Sequence, residues 1–103
     1  MTQCLKCGRS FDIHSEEDRI ASIAGSIMGD EHTESYFLCH SCNLYTVEVF
    51  FEPFLGDDEI TTRGPLTREE GDAKVAIINQ CPKPWSKRCR CPAHLEYWQG
   101  QLD

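Results

Sequence analysis

Seven cysteines carry most of the chemistry that this 103-residue chain could perform, and they fall into two groups. The first group consists of two C-x-x-C pairs separated by 31 residues: Cys4, Cys7, Cys39 and Cys42. The second follows the pattern C-x7-C-x-C-x2-H: Cys81, Cys89, Cys91 and His94. Thiolates and imidazoles in sets of four are the ligands of tetrahedral Zn²⁺. The spacing therefore predicts two zinc ions, one bound by four cysteines and one by three cysteines and a histidine.

Other uses of the thiols remain open but fit less well. The start of the chain has no apolar run typical of a secretion signal, so we expect a cytoplasmic protein with reduced thiols. Disulfides would also leave one of seven cysteines unpaired. A redox C-x-x-C motif opens a helix after a strand, whereas Cys39 and Cys42 precede a predicted strand. The second group could instead hold an iron–sulfur cluster or no metal, and His32 is the reserve ligand for His94.

An enzymatic role is not expected from these residues. Each set supplies four protein ligands, and a catalytic zinc keeps one position open for water. The sequence has no H-E-x-x-H motif and no glycine-rich phosphate loop. Glu96, near His94, is the one side chain that could act as a base at an opened second site. We expect His14 and His40 to be surface residues or to lie just outside the ligand shell.

Charge is distributed unevenly and bears on the choice of partner. The net charge is −7; residues 1–80 contribute −9 and residues 81–103 contribute +2. An anionic body repels phosphate backbones, which disfavours nucleic acid as a partner. No apolar run is long enough to span a bilayer. We therefore expect a protein partner and no membrane association, while the sequence leaves the oligomeric state unknown.

The alternative function is a nucleic-acid-binding or transcription-associated module that uses a basic loop. Cationic and aromatic side chains are concentrated in one short window: Lys83, Trp85, Lys87, Arg88 and Arg90. The simpler interpretation of Trp85 and Trp98 is that they pack over the second metal site. Metal storage or delivery is a third, less favoured function.

The elements that must position these ligands are predicted from hydrophobic spacing and capping signals. Apolar residues at helical spacing after Ser15 predict a helix that ends at residues 29–30: Ile20, Ile23, Ala24, Ile27 and Met28. Strands are expected over residues 9–13, 36–38 and 44–54, and the acidic run 57–59 is expected to be a solvated turn. Thr67 and Glu70 form a capping box for a second helix over residues 67–80, and a last helical turn is predicted over residues 93–98.

Residues 1–55 resemble the zinc-ribbon superfamily through the motifs C-L-K-C-G and C-H-S-C-N. The resemblance implies a Cys4 zinc site and a binding, structural or regulatory role. The expected fold is α+β: a small zinc-ribbon-like antiparallel sheet with two helices and a zinc-stapled C-terminal loop. We expect residues 1–80 to form this body. Residues 81–103, whose Cys3His pattern resembles no family, are expected to pack on it as part of one domain.

Overall fold

The computed structural model describes residues 2–102, which contain a four-stranded antiparallel sheet and two helices. In chain order the elements are β1 (Arg19–Ile27), β2 (Asp30–Cys39), β3 (Leu44–Glu52), β4 (Glu59–Thr67), α1 (Arg68–Asn79) and α2 (Pro92–Tyr97). The strands lie side by side in the order β1-β2-β3-β4, so each pairs with its neighbour in sequence. The expected α+β class with an antiparallel sheet is confirmed. Neither helix of the described residues has the length and apolar composition needed to cross a bilayer.

The helix predicted after Ser15 is wrong, because this segment is mostly strand β1. The carbonyl of Ser15 accepts hydrogen bonds from the backbone N–H groups of residues 18 and 19, which completes a single turn before the strand begins. From there, β1 pairs with β2 as far as the turn at Met28 and Gly29, where both residues have positive φ angles (53° and 84°). Two successive positive φ angles suit a tight hairpin. Backbone pairing with β2 therefore determines the structure of this segment, although its apolar residues are spaced as in a helix.

Two further expectations about strands need correction. The segment 9–13 is not a strand; only an isolated bridge joins Gln3 to Ser10, and Ile13 is exposed. The hydrophobic pattern does not predict strand β4, because its sequence is mostly polar and contains Gly64 and Pro65. A polar edge strand carries little hydrophobic signal, since most of its side chains face water. Residues 57 and 58 are exposed before β4, as expected for a solvated turn, whereas Glu59 is the first residue of β4.

The other predicted elements are present, with adjusted ends. Strand β2 is longer than the predicted 36–38, and β3 ends two residues earlier than predicted. The capping box at the start of α1 has both of its hydrogen bonds: the Thr67 hydroxyl accepts from the Glu70 N–H, and the Glu70 carboxylate accepts from the Thr67 N–H. Helix α2 occupies the place of the predicted last helical turn.

The two faces of the sheet are covered by different parts of the chain. Helix α1 packs on β1, β3, β4 and α2. Side chains from both helices and from one face of the sheet form the main core: Ile23, Tyr36, Leu38, Tyr45, Val47, Val75, Ile78, Tyr97 and Trp98. The N-terminal arm covers the opposite face, where the rings of Phe11 and Phe37 stack with centroids 5.2 Å apart. The sheet therefore lies between a helical layer and the segment that carries the first C-x-x-C pair.

The outer edge of β1 is covered by the C-terminal segment. The Ala24 N–H donates to the carbonyl oxygen of Pro84 at 2.8 Å. The carbonyl oxygen of the same Ala24 lies 2.6 Å from Nε2 of His94. An uncovered edge strand presents unpaired backbone groups to other chains. Here the N–H and the carbonyl of Ala24 both form hydrogen bonds, the N–H with Pro84 of the loop and the carbonyl with His94 of the second cysteine group.

Candidate metal centres

The first cysteine group is built from two turns with the same backbone geometry. In each turn the first cysteine's carbonyl accepts a hydrogen bond from the N–H four residues later, from Gly8 to Cys4 at 2.9 Å and from Asn43 to Cys39 at 2.7 Å. Gly8 and Asn43 both have positive φ angles, 79° and 57°. Glycine and asparagine are the residues that adopt this conformation at least cost. The turn between β2 and β3 thus presents its two thiols in the same way as the N-terminal turn.

The four thiols of the first group converge on one point. The sulfur atoms of Cys4, Cys7, Cys39 and Cys42 all lie within 4.8 Å of one another. The Sγ atoms of Cys7 and Cys39 are 3.8 Å apart. A Zn–S bond length of about 2.3 Å implies a tetrahedron with edges of about 3.8 Å, whereas a disulfide bond measures about 2.05 Å. The sulfurs are therefore spaced as ligands of a single ion, and none is bonded to another.

Electrostatics within the first group favours a bound cation. Burial opposes ionisation of Cys4, but hydrogen bonds from the N–H groups of Cys7 and Lys6 outweigh it and lower the pKa of Cys4 to about 6. The hydrogen bond between Cys42 and Cys7 is the largest of several effects that raise the pKa of Cys42 to about 12. Like charges at such short range suppress one another's ionisation. Four thiolates can therefore coexist here only if a cation neutralises them.

The second group also brings donor atoms together. The sulfurs of Cys81 and Cys89 and one ring nitrogen of His94 all lie within 4.8 Å of one another. The two sulfurs are 3.6 Å apart, and the Cys81 sulfur lies 3.3 Å from Nδ1 of His94. For Zn–S and Zn–N bonds of about 2.3 and 2.05 Å, tetrahedral geometry gives a sulfur–nitrogen separation of about 3.6 Å. The arrangement is thus slightly tighter than a zinc-bound one.

The orientation of His94 is fixed by the backbone of β1. Its Nε2 lies 2.6 Å from the Ala24 carbonyl, which can only accept a hydrogen bond, so Nε2 carries the proton. Nδ1 is then left with a lone pair directed at Cys81. Burial lowers the pKa of His94, which also favours the neutral ring. A metal-binding histidine usually donates its second N–H to a carboxylate or carbonyl in this manner. Ala24 is thus part of the site although its side chain has no donor atom.

Cys91 lies at the edge of the second group. It is the N-cap residue of α2, and its sulfur accepts the His94 N–H at 3.3 Å. That hydrogen bond is the main reason for its lowered pKa. Its sulfur is not among the atoms within 4.8 Å of one another, although it influences the pKa of Cys81, which burial raises to about 12. The structure therefore assembles three of the four predicted donors closely and holds the fourth beside them.

The remaining histidines are not in either group of the described residues. His32 packs against Phe51 and Trp98, with ring centroids 4.9 and 6.1 Å away. His40 is exposed and its Nε2 lies 2.8 Å from the Glu17 carbonyl oxygen. His14 is also exposed on the N-terminal arm. The reserve role for His32 therefore finds no support, and none of these rings adds a ligand.

The two tryptophans do not both pack over the second site. Trp98 is buried in the main core, and its indole ring lies so close to Gly25 that a Cβ atom there would be 2.7 Å away. Trp85 is 71% exposed, so the expectation that it packs over the metal site is wrong. Glu96 is exposed, and among the described residues its carboxylate is not one of the donor atoms that cluster with Cys81, Cys89 and His94.

The basic window is partly neutralised by its own surroundings. The Lys87 ammonium forms an ion pair with Glu31 of β2. The Arg90 guanidinium donates to the carbonyls of Lys87 and Cys89, at 3.0 and 2.9 Å. Lys83 and Arg88 are exposed. Two of the four cations therefore help to shape the loop instead of presenting a free charge to a ligand.

Arg9 is a neighbour of the first site that the motifs did not reveal. Its guanidinium donates to Asp18 at 3.0 Å and also lies beside the thiol of Cys39. A cation in this position partly offsets the negative charge of a Cys4 metal site. The sequence could not predict the contact between Arg9 and Cys39, because this contact depends on how the N-terminal arm crosses the sheet.

Comparison of the chain with protein-family models, with curated proteins and with solved structures finds no match. The resemblance to zinc ribbons therefore rests on the two C-x-x-C turns alone. What the geometry supports directly is a small α+β protein with two groups of residues that could each hold a metal ion.

Proposed function

We propose that this chain is a small zinc-binding protein in which two structural zinc ions hold one domain together, and that it acts as an interaction module. The observation that carries the proposal is the location of the two donor groups. Each lies where segments distant in sequence must be joined: the N-terminal arm to the β2–β3 turn, and the C-terminal segment to the edge of β1. Metal binding at such junctions contributes directly to folding free energy.

Residues 81–103 would then belong to the same domain as residues 1–80. Tyr97 and Trp98 of this segment are part of the main core, and His94 contacts β1. Removing these side chains would expose the apolar face beneath them. We propose that the second zinc keeps the loop between Cys81 and Cys89 folded around the edge of β1.

A structural role fits the two donor sets better than a catalytic one. The first set brings four protein donors together, and the second brings three together with the Cys91 sulfur beside them. A tetrahedral ion that also binds Cys91 would have no open position for water. Cys4, Cys39, Cys81 and His94 are buried, which restricts access of a substrate to the ions. Thiolate and imidazole donors suit zinc, whose tetrahedral preference matches the sulfur spacing of the first group.

Zinc transfer to a chelator distinguishes a structural role from metal storage or delivery. The zinc-loaded protein would be mixed with excess chromophoric chelator, and zinc release would be followed in parallel with unfolding by circular dichroism. We expect release and unfolding to occur at the same rate, because structural ions leave when the fold opens. Release that is complete while the sheet stays folded would favour storage or delivery.

Binding of single-stranded nucleic acid is the second candidate function, and the exposed Trp85 is the observation that favours it. An exposed indole beside Lys83 and Arg88 could stack on a base while the cations contact phosphates. The test is the fluorescence anisotropy of labelled single-stranded oligonucleotides at increasing salt, with Trp85→Ala as the matched variant. Affinity that falls with salt and is lost in the variant would support this function. No binding at low salt would remove it.

A further inference from the structure

The end of the sheet opposite the β2–β3 turn exposes large apolar side chains. The turn between β1 and β2 and the loop between β3 and β4 both lie at this end, as the antiparallel order requires. Met28 is 88% exposed, Phe54 79% and Leu55 83%. Single exposed apolar residues are common on protein surfaces, but several at one location usually mark an interaction site. These three residues are called the tip surface below.

The two loops that form the tip surface are in contact. The backbone N–H of Phe54 donates to the Asp30 carboxylate at 2.8 Å. A Cβ atom on Gly29 would lie 3.8 Å from the Cβ of Phe54, which is ordinary van der Waals contact. The hydrogen bond therefore fixes one hairpin loop against the other. The exposed apolar side chains belong to one joined surface and not to two separate loops.

Acidic side chains surround the tip surface. Segments 28–31 and 52–59 contain six acidic residues and no lysine or arginine: Asp30, Glu31, Glu52, Asp57, Asp58 and Glu59. Glu31 and Glu52 are direct partners across β2 and β3, an arrangement that costs stability. Lys87 pairs with Glu31, and the other acids include the exposed 57–59 run. Lys87 and Arg88 lie near Glu31 and Glu52, and the remaining acids give the surroundings of the apolar side chains a net negative charge.

We propose that the tip surface binds a basic segment of a partner protein that places apolar side chains against Phe54 and Leu55. This inference rests on the proposed role as an interaction module and names its surface and the chemistry of its partner. Apolar contacts would supply affinity, and lysine or arginine residues of the partner would face the acids. An anionic lipid surface or nucleic acid would be repelled by the same charges. A second copy of this chain would bring two acidic tips together.

The test is selection from a random peptide display library against the immobilised, zinc-loaded full-length protein. The variant Phe54→Ser/Leu55→Ser removes the apolar centre, and Asp57→Lys/Asp58→Lys reverses part of the charge. Ile13→Ser is the matched control, since Ile13 is 49% exposed on the N-terminal arm. Circular dichroism and zinc content of each variant would verify that it folds like the wild type. We expect enriched peptides to combine basic and apolar residues, and each double variant to weaken their binding about tenfold or more.

Each other outcome has a definite meaning. If the enriched peptides bind the Phe54→Ser/Leu55→Ser variant as tightly as wild type, the tip surface is not the binding site. The role as an interaction module would stand. Absence of enrichment would overturn both. Enriched peptides of acidic composition would contradict the charge argument. Binding to anionic vesicles would identify a membrane, and not a basic protein segment, as the partner. Self-association in sedimentation velocity that the apolar variant abolishes would identify a second copy of this chain as the partner.

Discussion

Replacing Gly71 by alanine tests how α1 is placed on the sheet that carries both candidate metal centres. Gly71 lies in the first half of α1 and is buried. A Cβ atom at this position would lie 1.9 Å from Cδ2 and 2.5 Å from Cγ of Tyr45. Tyr45 is itself 2% exposed and donates a 2.6 Å hydrogen bond to Asp72 of α1. The ring therefore occupies the space that a side chain at position 71 would need.

Two effects of opposite sign determine the expected magnitude. Alanine is a better helix former than glycine by about 1 kcal/mol, so propensity alone predicts stabilisation by Gly71→Ala. Carbon atoms in contact are about 3.5–4.0 Å apart, so the added methyl is at least about 1.6 Å too close to the Tyr45 ring. This ring is buried and could move away only by becoming exposed to solvent. Overpacking typically costs about 1–3 kcal/mol, and an overlap this deep belongs at the upper end. We expect a net loss of about 2 kcal/mol.

The assay is urea unfolding of the zinc-loaded protein at fixed free zinc, followed by circular dichroism, together with thermal unfolding. A loss of about 2 kcal/mol corresponds to a Tm lowered by roughly 8 °C or more for a domain of this size. Ala73→Gly is the control, because Ala73 is exposed on the same helix and should lose about 1 kcal/mol through propensity alone. A Gly71→Ala variant that is as stable as the wild type, or more stable, would refute the packing of α1 against Tyr45.

Three further predictions concern the second metal centre, the buried polar network and metal removal. Gly25→Ala should displace the Trp98 ring and with it α2, so we expect the affinity of the second zinc to fall about tenfold or more in chelator competition while the first site is unchanged. Tyr97→Phe should lower the free energy of unfolding by about 1.5–3 kcal/mol, because the Tyr97 hydroxyl donates to the buried Glu34 carboxylate. Tyr36→Phe should cost less, about 0.5–1.5 kcal/mol, because its hydroxyl bonds to the neutral Tyr97 hydroxyl and not to a carboxylate, and equal losses in urea unfolding would contradict this order. Removal of metal by a chelator should abolish dispersion of the amide proton NMR spectrum in the N-terminal arm and in residues 81–102, and an unchanged spectrum would contradict a structural role.

The clustering of the donor residues was the part of the candidate sites that the sequence could predict, because coordination chemistry restricts residue type and spacing. Both C-x-x-C pairs converge, and Cys81, Cys89 and His94 meet. The role of the Ala24 carbonyl could not be predicted. Any residue supplies a backbone carbonyl, and only the course of β1 brings this one to His94.

For the fold, predictions succeeded where local signals and long-range packing agree. The capping box gave the start of α1, since its two hydrogen bonds are local. The segment containing β1 has apolar residues at spacings compatible with a helix, and backbone pairing with β2 determined its structure instead. Gly71 illustrates the same limit: glycine has a low helix propensity, whereas in the structure the absence of a side chain here makes room for the Tyr45 ring.

The central claim is that the chain binds two zinc ions through two separate donor sets. Native mass spectrometry of the full-length protein, on wild type and on the variants Cys91→Ser and Cys42→Ser, tests it most directly. We expect two zinc ions in the wild type and one in Cys91→Ser, with loss of the other ion in Cys42→Ser. A wild type that binds a single zinc ion would contradict the division of the donors into two separate sets. A Cys91→Ser variant that retains two zinc ions, with wild-type resistance to a chelator, would contradict it as well.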